Sequence, residues 1–229
     1  MTERLTIEQL QRNLGVFADG SFGPRSKAAL FAKLTCRSAP ALTDDDYRRA
    51  ATRLGVPIGH IKGVRRVEAP RGAFDADGRP SILYERHKFR NNTQPLGRFN
   101  SSHPDLSGPP YGAGGYGSFG VQYGRLAAAC ALDPEAAFRA CSWGAFQVLG
   151  ENATAIGYAS AYDMAISLTT GETAHLETFI RFLETKRLVG AFQACRPGDP
   201  ASCQPFVSGY NGKGYRDFNY DVKLAAAIG

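Results

Sequence analysis

The sequence predicts a mostly α-helical protein, an α+β fold with one small β-hairpin element. It divides into a small helical module over 1–36, a linker over 37–43 and a larger domain over 44–229. Three observations predict this. Apolar residues recur at helical spacing through most of the chain. One segment, "SILYERHKF" (81–89), alternates as a strand does. Of the 229 residues, 43% are hydrophobic, enough for a proper core, while 26 glycines and 13 prolines imply long irregular connections.

The elements follow in order. Ile7, Leu10 and Leu14 in "TIEQLQRNLG" share a helix face, and "DGSFG" (19–23) makes a turn. Pro24 suits the first position of the helix "PRSKAALFAKL", because a first-turn N–H has no helical partner to lose. "TCRSAPAL" (35–42) reads as a linker. Thr43 caps "DDDYRRAATRL", whose leading acids sit at the positive end of the helix dipole. After Gly55, a further helix carries Ile58, Ile61, Val64 and Val67 on one face. Residues 69–80 form turns, and the strand that follows places Leu83, Glu85 and His87 on one side. Residues 91–117 form a loop rich in Gly, Pro, Ser and Asn, of a length usually functional or mobile. From 118 onward the patterns are helical. Asp133-Pro134 starts one helix, 172–185 forms another with Leu176, Phe179, Ile180 and Leu183 inward, and 221–228 ends the chain. There is no long internal repeat.

The formal net charge is +6, which favours an anionic partner: nucleic acid, membrane surface or bacterial wall. The charge is dispersed. Residues 1–43 carry six Lys/Arg against three Asp/Glu, and the rest of the chain twenty-one against eighteen. No basic tract interleaved with aromatics marks a nucleic-acid surface. The longest uncharged run, Leu106 to Gly124, is broken by glycines and prolines, so no membrane span is expected. Met1-Thr2-Glu3-Arg4 is not followed by an apolar stretch, so no signal peptide is expected. The four histidines (His60, His87, His103, His175) and five cysteines match no metal-ligand spacing, so no metal or cofactor is expected. Cys195 and Cys203 bracket "RPGDPAS"; either a disulfide closes that loop or both thiols stay reduced.

Two carboxylates stand out. Glu68 follows Val64 by four residues and Ile61 by seven, so it lies on the buried face of its helix. It also occupies the last turn, which Pro70 stops. The negative end of the helix and partial burial both disfavour ionisation there. That is where a general acid belongs, since it must keep a proton near neutral pH. The competing reading is a structural carboxylate bonded to Arg65, Arg66 or Arg71. Glu85, 17 residues later, has the analogous alternative of a pair with Arg86 or His87. If residues 69–80 fold back like a hairpin, both carboxylates face one cleft, the arrangement glycoside hydrolysis uses. "CSWGAFQ" (141–147) and "SGYNGKGY" (208–215) add aromatic and amide groups suited to sugars, with core packing the alternative for Trp143.

These motifs stand in one order: Val67-Glu68, "DGRPSILYERHKF", Gly114 to Gly117, Tyr123 to Leu126, "CSWGAFQVLGEN" and "YNGKGYRDFNYDVKL". Together, over about 44–229, they resemble the phage-type N-acetylmuramidases, lysozyme-like endolysins. The chain departs from that pattern at "APRGAF", where Pro70 and Arg71 replace small polar residues and Ala73 replaces a glycine. The resemblance implies a lysozyme-like catalytic domain. Glu68 is then the catalytic acid and Glu85 a second, essential or supporting acid. Ser142, Trp143, Gln147, Tyr210, Asn211 and Tyr116 are implied to bind substrate. In the N-terminal segment, Leu10-Gln11, Leu14-Gly15, Asp19 to Gly23, Ser26 and Ala29 resemble a shortened peptidoglycan-binding module.

The expected activity is therefore hydrolysis of the β-1,4 bond from N-acetylmuramic acid to N-acetylglucosamine in bacterial peptidoglycan, by a monomer that lyses cells. Synthesis in the cytoplasm and release to the wall by a phage holin or a bacterial secretion machine are expected with it. The alternatives are a lytic transglycosylase, which forms 1,6-anhydro products, and a non-catalytic wall-binding protein. A dinucleotide site at Gly112, Gly114 and Gly117 is set aside, because a loop and not a strand precedes the glycines.

Overall fold

Thr6 and Gln9 close a capping box on α1 (Ile7–Asn13), and Pro24 opens α2 (Pro24–Leu34). This computed structural model describes residues 4–110 and 116–229, so Gly112 and Gly114 of the glycine motif lie outside the described residues. The buried Gln11 organises the turn between the two helices. Its Nε2 donates to Asp19 Oδ1, Ser21 O and Ser26 Oγ, and its Oε1 accepts from the Gly20 N–H. The spaced polar residues of this segment are thus one hydrogen-bonded hub. Its apolar residues Leu10, Leu30 and Leu34 are fully buried in the same core as the rest of the chain. Phe31 meets Tyr123 edge-on, the Arg79 guanidinium lies over both rings, and the Cys36 N–H donates to Gly78 O. The linker is also tied down, since Glu172 N donates to Pro40 O and Glu172 Oε2 accepts from Leu42 N.

A second capping box, Thr43 with Asp46, starts α3 (Asp44–Leu54), and Gly55 ends it in the left-handed region. Next, α4 (Ile58–Glu68) runs to its last residue, Glu68, after which Ala69 leaves helical geometry. Residues 72–81 do fold back. An isolated bridge joins Phe74 to Pro80, and Asp75 Oδ1 accepts from the Asp77 and Arg79 N–H groups.

The β element differs from expectation. β1 (Ile82–Tyr84) is followed by α5 (Arg86–Asn92), with Glu85 as the residue that begins that helix, so the alternation stops one residue short of it. After an irregular stretch come α6 (Gln122–Cys130) and α7 (Pro134–Arg139), the latter capped by Asp133. β2 (Cys141–Trp143) and β3 (Val148–Leu149) complete an antiparallel sheet in the order β1-β2-β3, with Ile82 opposite Trp143 and Ser142 opposite Leu149. The β2–β3 hairpin spans 141–149, and the fold-back of 72–81, closed by the Phe74–Pro80 bridge, leads into β1 beside it. Strands of two and three residues are too short to establish an alternating pattern.

Helices complete the chain: α8 (Ala161–Leu168), α9 (Glu172–Thr185), α10 (Val189–Gln193), α11 (Pro200–Tyr210) and α12 (Tyr220–Ala227). Phe146, Phe179, Phe192 and Phe206 pack ring against ring through the centre. The chain end crosses α4 so closely that a Cβ on Gly63 would sit 2.6 Å from Ile228 Cγ2. Cys195 and Cys203 are both buried free thiols. Among the described residues, no helix is long and apolar enough to cross a membrane.

Candidate active site

The end of α4, the fold-back after it and β1 border a cleft of about 240 Å³, which Glu68, Gln147, Ser81 and Phe119 help to line. Glu68 enters it from one wall. Asn211 Nδ2 donates to its Oε1 at 2.7 Å. Arg65 pairs instead with Glu172, and no ion pair to Glu68 forms among the described residues. Behind the carboxyl, Val64, Val67, Phe206, Val207 and Leu224 border a void of about 10 Å³, room for no more than one water.

This setting sets the proton affinity. Burial raises the proton affinity of the Glu68 carboxyl and outweighs the Asn211 hydrogen bond and the Lys223 charge, which oppose it, so the group sits at about 7 instead of its ordinary 4.5. Its place at the C-terminal end of α4 acts in the same direction as burial. A carboxyl half-protonated near neutral pH, on a cleft wall, can donate a proton to a leaving oxygen.

Asn211 is positioned by the end of α11, where its N–H donates to Val207 O. The adjacent Tyr210 departs from the expectation that it meets sugar. Its hydroxyl donates to Phe146 O, and its ring packs on Phe179, Phe182 and Phe206. Trp143 departs further. It is 1% exposed, stacks on Phe138 and donates its indole N–H to Phe138 O, so it is a core residue. An indole beside a glycine and a glutamine carries the same sequence signal whether it faces sugar or core.

The glycine after Trp143 explains the rest of "SWGAFQ". Gly144 has φ +73°, its N–H donates to Ser81 O, and a Cβ there would lie 2.5 Å from His175 Nδ1. His175 is held neutral: Nδ1 accepts from the Ala145 N–H, Nε2 donates to Leu168 O, and burial lowers its pKa to about 4. This tight turn aims Gln147 (φ 48°) at the cleft. Both hydrogens of its amide go to backbone carbonyls, Ser81 O and Gly144 O, so Oε1 is the atom it offers a ligand.

Glu85 does not line this cleft. Its Oε1 accepts from Ser142 Oγ at 3.0 Å, and His87 Nε2 lies 3.6 Å from Oε2. Burial raises its pKa, opposed by the Ser142 hydroxyl and the Lys88 charge. Ser142 is thereby committed to Glu85 and is 8% exposed. Tyr116 is anchored through its carbonyl, which accepts from Gln122 Nε2 and Arg125 Nη1. Gln122, which sequence reasoning missed, also accepts from the Tyr84 N–H and borders the cleft, so it ties the segment after the glycine loop to β1. A lone buried glutamine in a helix gives no sequence signal of this kind.

The family model for N-acetylmuramidase matches residues 57–229. Among solved structures, the crystal structure of a Burkholderia AP3 phage endolysin is similar, with 30% sequence identity and a TM-score of 0.69, covering 100% of this chain and 96% of that one. No curated protein matches the sequence. The fold is lysozyme-like, mostly α with a small antiparallel sheet.

Proposed function

The chain belongs to the N-acetylmuramidase family, and on that premise we propose that it cleaves the β-1,4 bond between N-acetylmuramic acid and N-acetylglucosamine and so lyses bacterial cells. The family and the endolysin likeness support a glycosidase-type peptidoglycan hydrolase. The observation that carries the finer reading is Glu68, protonated to about pH 7 on the wall of a cleft that also receives Gln147. Glu68 protonates the glycosidic oxygen as the bond breaks. Asn211 holds the carboxyl in one orientation and then stabilises the carboxylate left behind. Gln147 Oε1 accepts a hydrogen bond from an acetamido N–H of the glycan.

Hydrolysis also needs an attacking water. Glu85 lies outside the cleft lining, so its part is that of a supporting acid acting through Ser142, whose hydroxyl donates to its Oε1. The net charge of +6 favours approach to an anionic wall. The protein acts as a monomer and reaches the wall after holin-type or secretion-system release.

Turbidity clearing of outer-membrane-stripped bacteria, followed by mass analysis of released muropeptides, tests the proposal. Reducing-end muramic acid is the expected product. Anhydro ends would overturn hydrolysis in favour of transglycosylation, and no clearing would leave only a wall binder.

A further inference from the structure

Arg71 is the one position where the departure from the family-like pattern places a charge in the cleft. Pro70 ends the chain's helical path after Glu68 and delivers Arg71 to the cleft wall three residues past the acid. Among the described lining residues, only Glu68 and Arg71 carry ionisable side chains. Arg71 forms no ion pair among the described residues. It is also not among the groups that perturb Glu68, where the only cation acting is Lys223. Its guanidinium carbon lies 5.3 Å from the centre of the Phe119 ring, across the cleft mouth. A guanidinium held over a ring at this distance uses none of its N–H groups on the ring and keeps them for a ligand. A planar, pre-oriented N–H edge fits one ligand chemistry above others, a carboxylate gripped by two hydrogen bonds.

We propose that Arg71 is a specificity-determining residue that binds a carboxylate of the glycan substrate. This deepens the glycosidase reading above and rests on it. Two sources offer that chemistry on peptidoglycan. One is the lactyl carboxylate of muramic acid where the peptide has been removed. The other is the stem peptide, whose carboxylates remain when the lactyl group is amidated. Phe119 supplies an apolar floor beside the contact and excludes water from one side of it.

The test separates binding from turnover. Calorimetry compares Glu68→Gln with Glu68→Gln/Arg71→Gln on three soluble glycan pools. The first is peptide-stripped with free lactyl carboxylates, the second is the same pool capped as neutral methylamides, and the third bears peptides. The single variant is expected to bind at least one carboxylate-bearing pool about tenfold more tightly than the capped pool, the scale of one well-oriented charged contact. Adding Arg71→Gln should erase that preference while leaving the capped pool unchanged, and Arg71→Lys should restore part of it. The preferred pool then identifies the source as lactyl group or stem. Raised salt should shrink the preference, because the contact is partly exposed. Equal affinity for charged and capped glycans, or equal loss on both when Arg71 is changed, would overturn the proposal. Absence of glycan cleavage by the unaltered protein is a separate result, and it counts against the glycosidase reading alone.

Discussion

Glu68→Gln should inactivate the protein and stabilise it, and the two effects have one cause. Glu68 holds its proton to about pH 7, against an ordinary 4.5. Between those values the folded chain keeps a proton that the unfolded chain has released. Stability therefore falls as pH rises through this window, with no penalty below the lower value and the full penalty above the upper one. At ~1.4 kcal/mol per unit, a window of this width corresponds to a cost on the order of 3 kcal/mol. Glutamine keeps the shape and the acceptor for Asn211 but has no charge to bury. Urea denaturation at about pH 4 should then find the two proteins similar, while at about pH 8.5 the variant should be more stable by on the order of 3 kcal/mol. Lysis by the same variant should fall ~10²-fold or more, the scale of a lost general acid. The reasoning fails if the stability difference is the same at both pH values, or if the folded variant lyses cells at a near-native rate.

Four further outcomes follow from the packing. In the unaltered protein, the rate should decline as pH rises through about 7, as Glu68 loses its proton; a flat profile across neutrality would count against it as the acid. Glu85→Gln should cut turnover severely and leave glycan binding nearly intact in calorimetry, whereas near-native turnover would reduce Glu85 to a brace for Ser142. Gly63→Ala pushes a methyl towards Ile228 Cγ2, 2.6 Å away, and should lift α12 from α4 and hydrate the space behind Glu68. The alkaline limb of the pH–rate profile should then move to lower pH; an unmoved limb in a folded variant would refute that route. Deleting residues 1–36 should weaken sacculus binding and lower the melting temperature, since Leu10, Leu30 and Leu34 belong to the shared core; an unchanged melting temperature would mark the segment as an independent module.

Much of the frame is local, and local structure is legible in sequence. Thr43 with Asp46 closes a capping box, Asp133-Pro134 starts α7, and 172–185 is a helix to the residue, because each signal lies within one turn of its effect. The inward-facing, half-buried placement of Glu68 is legible for the same reason: Ile61, Val64 and Glu68 share a face by helical spacing. β1 is legible within "SILYERHKF" (81–89), but its end at Tyr84 and the strands β2 and β3 are not, because the hydrogen bonds that define them come from partners across the sheet. The motif residues divide likewise. Gln147 reaches the cleft through a turn that Gly144 permits, whereas Trp143, two positions before Ala145, points into the core. Which side of a three-residue strand faces the ligand is set by the sheet's neighbours and leaves no mark in the strand itself.

The acid itself is assembled from the two ends of the larger domain. Glu68 closes the second helix of that domain, yet what keeps it protonated comes from residues 206–224. Phe206, Val207 and Leu224 keep out water and so favour the protonated form, while the Asn211 hydrogen bond and the Lys223 charge limit how far the proton affinity rises. Those residues come together only because Gly59 and Gly63 let the chain end lie against α4, where any side chain would meet Ile228 or Ala227. The late "YN" and "YDVKL" segments are therefore parts of one proton-holding device with the early glutamate. A buried carboxyl left open to solvent on this side would revert to an ordinary surface acid, ionised at neutral pH and unable to protonate a leaving group. The position of the catalytic proton is thus a property of the α4–α11–α12 packing, and a change anywhere along that contact should register first in the pH dependence of the rate.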